Sequence, residues 1–241
     1  MLITKSHKIL FTDSRYIERA KYTVPKNVEV VDITRLWRSP ADLKKEWQKI
    51  LRKLRIKSIG FEGNNLTVNQ LKKYKSISPK IKFEDMSGKI ESLRAIKTPA
   101  EIKLITKSQR INEQVFELIK KFIHKQKARA LREIDIAWEI KRLAHELGAD
   151  DVSFDPIVAF GKNSAIPHHK PTTTRLKKGD LILIDMGMKY KGYCSDMTRI
   201  IFTQPPTKLQ KEVYNTVLKA QENVLKNAHN GFVEQKIDSL A

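Results

Sequence analysis

Apolar positions along this chain fall into two regimes. In the first, short β-branched runs alternate with helical stretches. Leu2-Ile3-Thr4 and Ile9-Leu10-Phe11-Thr12 flank Ser6-His7, a pattern that predicts a hairpin. Asp13 stands where it can cap a helix from Arg15 to Ala20. Val28 to Val31 and Ile56 to Phe61 predict further strands. Between them Leu43 to Leu54 predicts an amphipathic helix with Trp47, Ile50, Leu51 and Leu54 on one face. Strand–helix–strand order over residues 1–95 predicts a small α/β domain.

The second regime, residues 96–241, follows a boundary near Arg94-Ala95-Ile96-Lys97. Thr98-Pro99-Ala100-Glu101 predicts a helix start, with Thr as cap, Pro at the first helical position and Glu completing the capping box. That helix is expected to run to about Gln126 and to bury Ile111, Val115, Leu118 and Phe122. A second helix, Glu133 to Leu147, is closed by Gly148. The period then changes: Val152 to Ala159 and Leu181 to Ile184 predict strands, with Tyr193 to Phe202 returning. Thr207 opens a third helix reaching to near Gly231, and residues 233–241 begin a fourth.

Composition narrows the function. With 241 residues, 40% of them hydrophobic, the chain can pack one large core or two modest ones. No apolar run approaches the roughly 20 residues of a membrane helix, and the N-terminus lacks the pattern of a signal peptide. A single cysteine, Cys194, excludes an internal disulfide and suits a reducing compartment, so the cytoplasm is the expected address. The net charge of +20 changes the picture more. Clustered lysines bind nucleic acid through phosphate neutralisation. Here they are spread along the chain (Lys44-Lys45, Lys72-Lys73, Lys120-Lys121, Lys177-Lys178), and sequence-specific nucleic-acid binding is not expected.

The candidate chemistry lies in Leu181-Ile182-Leu183-Ile184-Asp185-Met186-Gly187 and Gly192-Tyr193-Cys194-Ser195-Asp196-Met197-Thr198-Arg199. Four consecutive apolar residues predict a strand buried on both faces, so Asp185 directly after them is expected to be buried or in a cleft. If Tyr190 and Lys191 form the turn, Asp185 and Asp196 stand directly opposite each other on one face. Opposed carboxylates repel, and a divalent cation between them removes the repulsion. The spacing leaves a second reading equally open, in which a bulge separates two unrelated acids paired with Arg199 or Lys189. Pro167-His168-His169-Lys170-Pro171 adds two imidazoles, which can ligate metal, move a proton or hydrogen-bond a developing oxyanion.

Taken together, Ser153-Phe154-Asp155-Pro156-Ile157-Val158, Pro167-His168, Gly179 to Gly187 and Gly192 to Arg199 resemble the pita-bread metallopeptidases: aminopeptidase P, prolidase and methionine aminopeptidase. Leu10 to Tyr16 and Glu91 to Ile102 resemble the creatinase/prolidase N-terminal domain and its junction, which favours aminopeptidase P or prolidase over methionine aminopeptidase. The resemblance implies a creatinase/prolidase-type α/β domain over residues 1–95 and part of an α+β pita-bread domain over 96–241. It also implies Asp185 and Asp196 as metal ligands, Asp196 bridging two ions, and His168 as the histidine that stabilises the tetrahedral intermediate. The cofactor is then a pair of divalent ions, manganese, cobalt or zinc, and the substrate a peptide with proline second, with a homodimer as a further expectation. The family completes its site with one histidine and two glutamates found in no segment of this chain, and the chain is short at both ends of the pattern. Alone it is expected to be inactive. The rival expectation is a non-catalytic pita-bread module that binds peptide, protein or nucleic acid.

Overall fold

A computed structural model describes residues 1–34, 39–126 and 131–241. The chain divides into two compact units, Met1–Ile96 and Lys97–Ala241.

In the first unit β1 (Leu2–Ile3) and β2 (Lys8–Thr12) form the expected hairpin, with Leu2 opposite Ile9. β3 (Glu29–Asp32) joins β2 in parallel after α1 (Ile17–Thr23). The expected cap of α1 is not made. Asp13 accepts instead from the Arg15 backbone N–H and pairs with the Arg15 guanidinium, and the helix starts two residues later behind Tyr16. The short Asp side chain closes its own local turn, the usual competitor of a cap. α2 (Pro40–Lys53) is amphipathic as expected, and its Trp47 packs edge-on to Phe11 and donates to Ser78 Oγ at 2.6 Å. β4 (Ser58–Phe61) and β5 (Lys82–Asp85) form a parallel pair bridged by α3 (Val68–Ile77), and α4 (Lys89–Ala95) closes the unit.

The second unit opens with α5 (Pro99–Lys125), whose Thr98–Glu101 capping box is formed as the sequence predicts. α6 (Glu133–Glu146) follows. The stretch expected as one strand from Val152 is two, β6 (Asp151–Val152) and β7 (Ile157–Phe160). Beyond a 3-10 turn at Gly161–Ala165 come β8 (Leu181–Met186), β9 (Met188–Tyr190), β10 (Tyr193–Cys194), β11 (Met197–Phe202), α7 (Lys208–Asn227) and α8 (Glu234–Asp238). One antiparallel sheet runs β11–β8–β7 and a second β10–β9–β6. Ile111, Val115 and Ile119 of α5 and Ile136 and Ile140 of α6 pack on Ile182, Ile184, Met186 and Met188, all at 0% exposure. Each such side chain contributes about 2 kcal/mol by leaving water. Leu118 and Phe122 lie at the margin of this core rather than inside it.

β8 is not buried on both faces. Ile182, Ile184 and Met186 are buried, while Leu181, Leu183 and Asp185 are only half-buried. The helices cover one face, and a run of apolar letters cannot say which faces will be covered. α7 has no buried residue and leaves Leu209, Val213 and Val217 exposed. Among the described residues no helix is long and apolar enough to cross a membrane.

Candidate active site

The hairpin register sets the site. Lys191 and Gly192 both take positive φ, 48° and 82°, the geometry of a two-residue turn that matches strand twist. Tyr190 therefore faces Tyr193, one step beyond the pairing expected from the sequence. As a result Thr198, not Asp196, stands opposite Asp185, and its hydroxyl donates to Asp185 Oδ1 at 2.9 Å. The expectation of directly opposed carboxylates is thus incorrect. Asp196 is displaced by two residues, a diagonal position on the same face, where long side chains still meet.

Both carboxylates line one cavity of about 700 Å³, together with His168 and His169. Asp185 is half-buried and Asp196 keeps much of its surface exposed. Even so, the Asp196 carboxyl is pushed above the ordinary aspartate range. Burial is the largest cause, followed by the charge of Asp185 and hydrogen-bonding contact with it, while the Met197 N–H pulls the other way. Two carboxylates in one recess, one of them with its ionisation disfavoured by the other's charge, are a donor set for a hard cation.

Gly187 makes this approach possible. A Cβ there would lie 2.0 Å from the Ser195 carbonyl oxygen and 2.7 Å from Ser153 Oγ, so only glycine lets the two arms of the hairpin cross at the acid pair. The crossing is locked from below. Ser108 of α5 donates to the Met188 carbonyl at 2.6 Å, Ser153 donates to the same carbonyl at 2.8 Å, and the Met188 N–H donates to Ser195 Oγ at 3.1 Å.

The adjacent histidines have different surroundings. His169 is buried, and its Nε2 lies 2.9 Å from Glu133 Oε2. His168 is exposed with a left-handed φ of 53°. It is the imidazole of the two that Glu133 does not hold.

Glu133 went unnoticed in the sequence beyond its place at a helix start. It is fully buried and accepts from the Phe160 N–H, Asn163 Nδ2 and the Thr172 N–H and hydroxyl in addition to His169. Burial works most strongly against its charge, yet the bonds from His169, Asn163, Phe160 and Thr172 together outweigh burial and hold its pKa at about 2. No spacing rule links position 133 to 163, 169 and 172. Trp138, Ile134 and Phe154 also line the cavity and were equally invisible as site residues.

An α/β unit is thus followed by an α+β unit that carries an acid pair and an imidazole in one recess. The chain belongs to metallopeptidase family M24: residues 103–241 match that family, and residues 1–96 match the creatinase/prolidase N-terminal domain. Its fold is accordingly the pita-bread fold behind a creatinase-type N-terminal domain. It is similar to an uncharacterized peptidase of Bacillus subtilis, with 30% identity over 239 residues covering 99% of this chain and 65% of that one. The Xaa-Pro dipeptidase of Pyrococcus furiosus is 34% identical over 184 residues, covering 76% and 51%. The solved X-Pro aminopeptidase of Thermotoga maritima superposes with a TM-score of 0.85 at 31% identity over 100% of this chain and 65% of that one. The chain thus spans between half and two thirds of the length of these relatives.

Proposed function

We propose that this chain carries the substrate-facing part of a peptidase that releases an N-terminal residue from a following proline. The carrying observation is the acid pair, Asp185 and Asp196, sharing a recess with His168 while Asp196 resists ionisation. Family membership supports a divalent ion as the missing counter-charge, and the two carboxylates suit it chemically. Asp185 and Asp196 would hold it, and Thr198 fixes the Asp185 carboxylate for that purpose. Bound there, the metal would supply a nucleophile at neutral pH and polarise the scissile carbonyl. His168 would donate a hydrogen bond to the oxygen that gains charge as the carbonyl is attacked. The apolar side of the recess, formed by Ile134, Trp138 and Phe154, would receive the substrate's ring or side chain and exclude water.

One observation favours the rival reading of a binding module. Among the described residues no group of three or more His, Cys, Asp or Glu is placed to hold a metal. Two carboxylates coordinate only part of a divalent ion, and a loosely held ion does not fix reacting geometry. On that reading these two carboxylates would hold a divalent ion only loosely, and negligible turnover is the expected outcome. Calorimetric titration with manganese, read beside binding of an Xaa-Pro dipeptide and its Pro-Xaa reverse, tests this. Metal heat abolished by Asp196→Asn, with preference for Xaa-Pro only in the presence of metal, supports the peptidase reading. Metal binding unchanged in Asp196→Asn would refute it. Xaa-Pro preference without metal would favour the binding module.

A further inference from the structure

The first unit holds a second cavity, of about 650 Å³, formed where the β1–β2 turn meets the connection from α2 to β4. Its ten lining residues are Thr4 to His7 and Lys53 to Ser58. Four are Lys or Arg (Lys5, Lys53, Arg55, Lys57), His7 is a fifth basic group, and none is acidic. Residues 1–96 contain 22 Lys and Arg against 10 Asp and Glu, so this unit carries 12 of the net +20 in well under half of the chain.

Five of the ten acids of the unit are engaged away from the cavity. Asp13 pairs with Arg15, Glu18 with Lys21, Glu46 with Lys49 and Glu84 with Lys82, and Asp85 accepts from Ser87 and Gly63. None of the four cavity cations has a carboxylate partner among the described residues. Arg55 adopts a left-handed φ of 52°, a conformation uncommon outside glycine. Like charges gathered in a concavity repel one another, and a bound anion relieves that repulsion. The Ser6 and Ser58 side chains and Thr4 supply neutral hydroxyls beside them. The scattering of lysines along the sequence gives no hint of this gathering, because it is made by folding residues 4–7 onto 53–58.

We infer that this cavity binds a small anion carrying two or more linked phosphate groups. A volume of this size suits a small molecule, the Arg fork and the Lys ammonium groups suit phosphate oxygens, and several cations demand several negative charges. The chemistry is shared by inorganic polyphosphate and the phosphate chain of a nucleoside triphosphate. It is independent of the peptidase reading and uses none of its residues.

The test is calorimetry on the full chain at about 150 mM salt, where interactions between distant exposed charges are screened. Tripolyphosphate, ATP and a short oligodeoxynucleotide are the probes. Saturable one-to-one binding of tripolyphosphate or ATP is expected. The Lys53→Gln/Arg55→Gln double variant should weaken it by about tenfold or more, and Lys57→Gln alone by a smaller factor. Lys72→Gln/Lys73→Gln, which removes the same charge from α3 of the same unit, should change it by less than about twofold. Equal affinity for tripolyphosphate and ATP would identify the phosphate chain itself as the ligand, and tighter ATP binding a nucleotide. Three outcomes overturn the inference: no binding of either small anion, equal weakening by both double variants, or oligonucleotide binding tighter than both.

Discussion

Glu133 Oε2 and His169 Nε2 lie 2.9 Å apart, both buried, and this contact ties the start of α6 to the loop that presents His168. Truncating Glu133 to Ala would leave the buried Phe160 N–H and His169 ring without this acceptor and take a partner from Asn163 and Thr172. Such losses amount to about 1–3 kcal/mol for each group stranded, with partial relief from water. We expect Glu133→Ala to be destabilised by about 3–5 kcal/mol, as urea denaturation would show. Glu133→Gln, which keeps the shape and one acceptor, should recover part of that. Wild-type stability from Glu133→Ala would mean that the network is not what holds the loop.

The same residue sets an acid limit. Its folded pKa, about 2, lies below the ordinary 4.5, so the folded state favours the ionised form. That stabilisation is complete above about pH 4.5 and is lost as pH falls toward 2, a contribution on the order of 2–3 kcal/mol. Denaturation midpoints measured from pH 6 down to pH 2.5 should fall in the wild type. In Glu133→Gln the fall should be shallower across the same window.

The two histidines separate stability from chemistry. His169→Ala breaks the buried contact and should lower stability by about 1–3 kcal/mol. His168→Ala removes an exposed side chain and should shift stability by less than about 0.5 kcal/mol, and His168→Asn, better suited to its left-handed φ, by less still. Thermal melts of the three variants check the ranking. A melt in which His168→Ala is the more damaged would assign the structural role to the other ring.

At the crossing of the hairpin, Gly187→Ala forces a methyl group against the Ser195 carbonyl. Backbone must shift, at a cost of about 2 kcal/mol or more, and the acid pair shifts with it. Reduced melting temperature together with weakened manganese binding is expected. A fully stable variant with intact binding would show that the crossing has slack.

Removing one charge of the acid pair should separate the apo protein's stability from its metal affinity. Asp185→Asn and Asp196→Asn each end a repulsion, so the metal-free melting temperature should hold or rise slightly. Divalent-ion affinity should fall by more than about tenfold. Loss of stability in Asp196→Asn without metal would indicate that the pair is held by contacts other than those seen.

Much of the architecture was written locally. Thr98, Pro99 and Glu101 specify the start of α5 because capping involves residues three apart, and Thr207 with Gln210 does the same for α7. Period-2 and period-3.6 patterns placed most helices and strands for the same reason. The site was legible only in part. Asp185, Asp196 and His168 could be singled out by type and motif, and the tertiary structure gathers them around one recess. The pairing of the acids was not legible, because a turn formed by Lys191 and Gly192 rather than by the residues one step earlier moves every partner along the strand. The Glu133 network and the basic recess of the first unit lie further still from sequence reading. The first joins residues 27 to 39 positions apart and the second residues 46 to 54 apart, and the hydrogen bonds and charge crowding that define them exist only after the chain has folded those segments together.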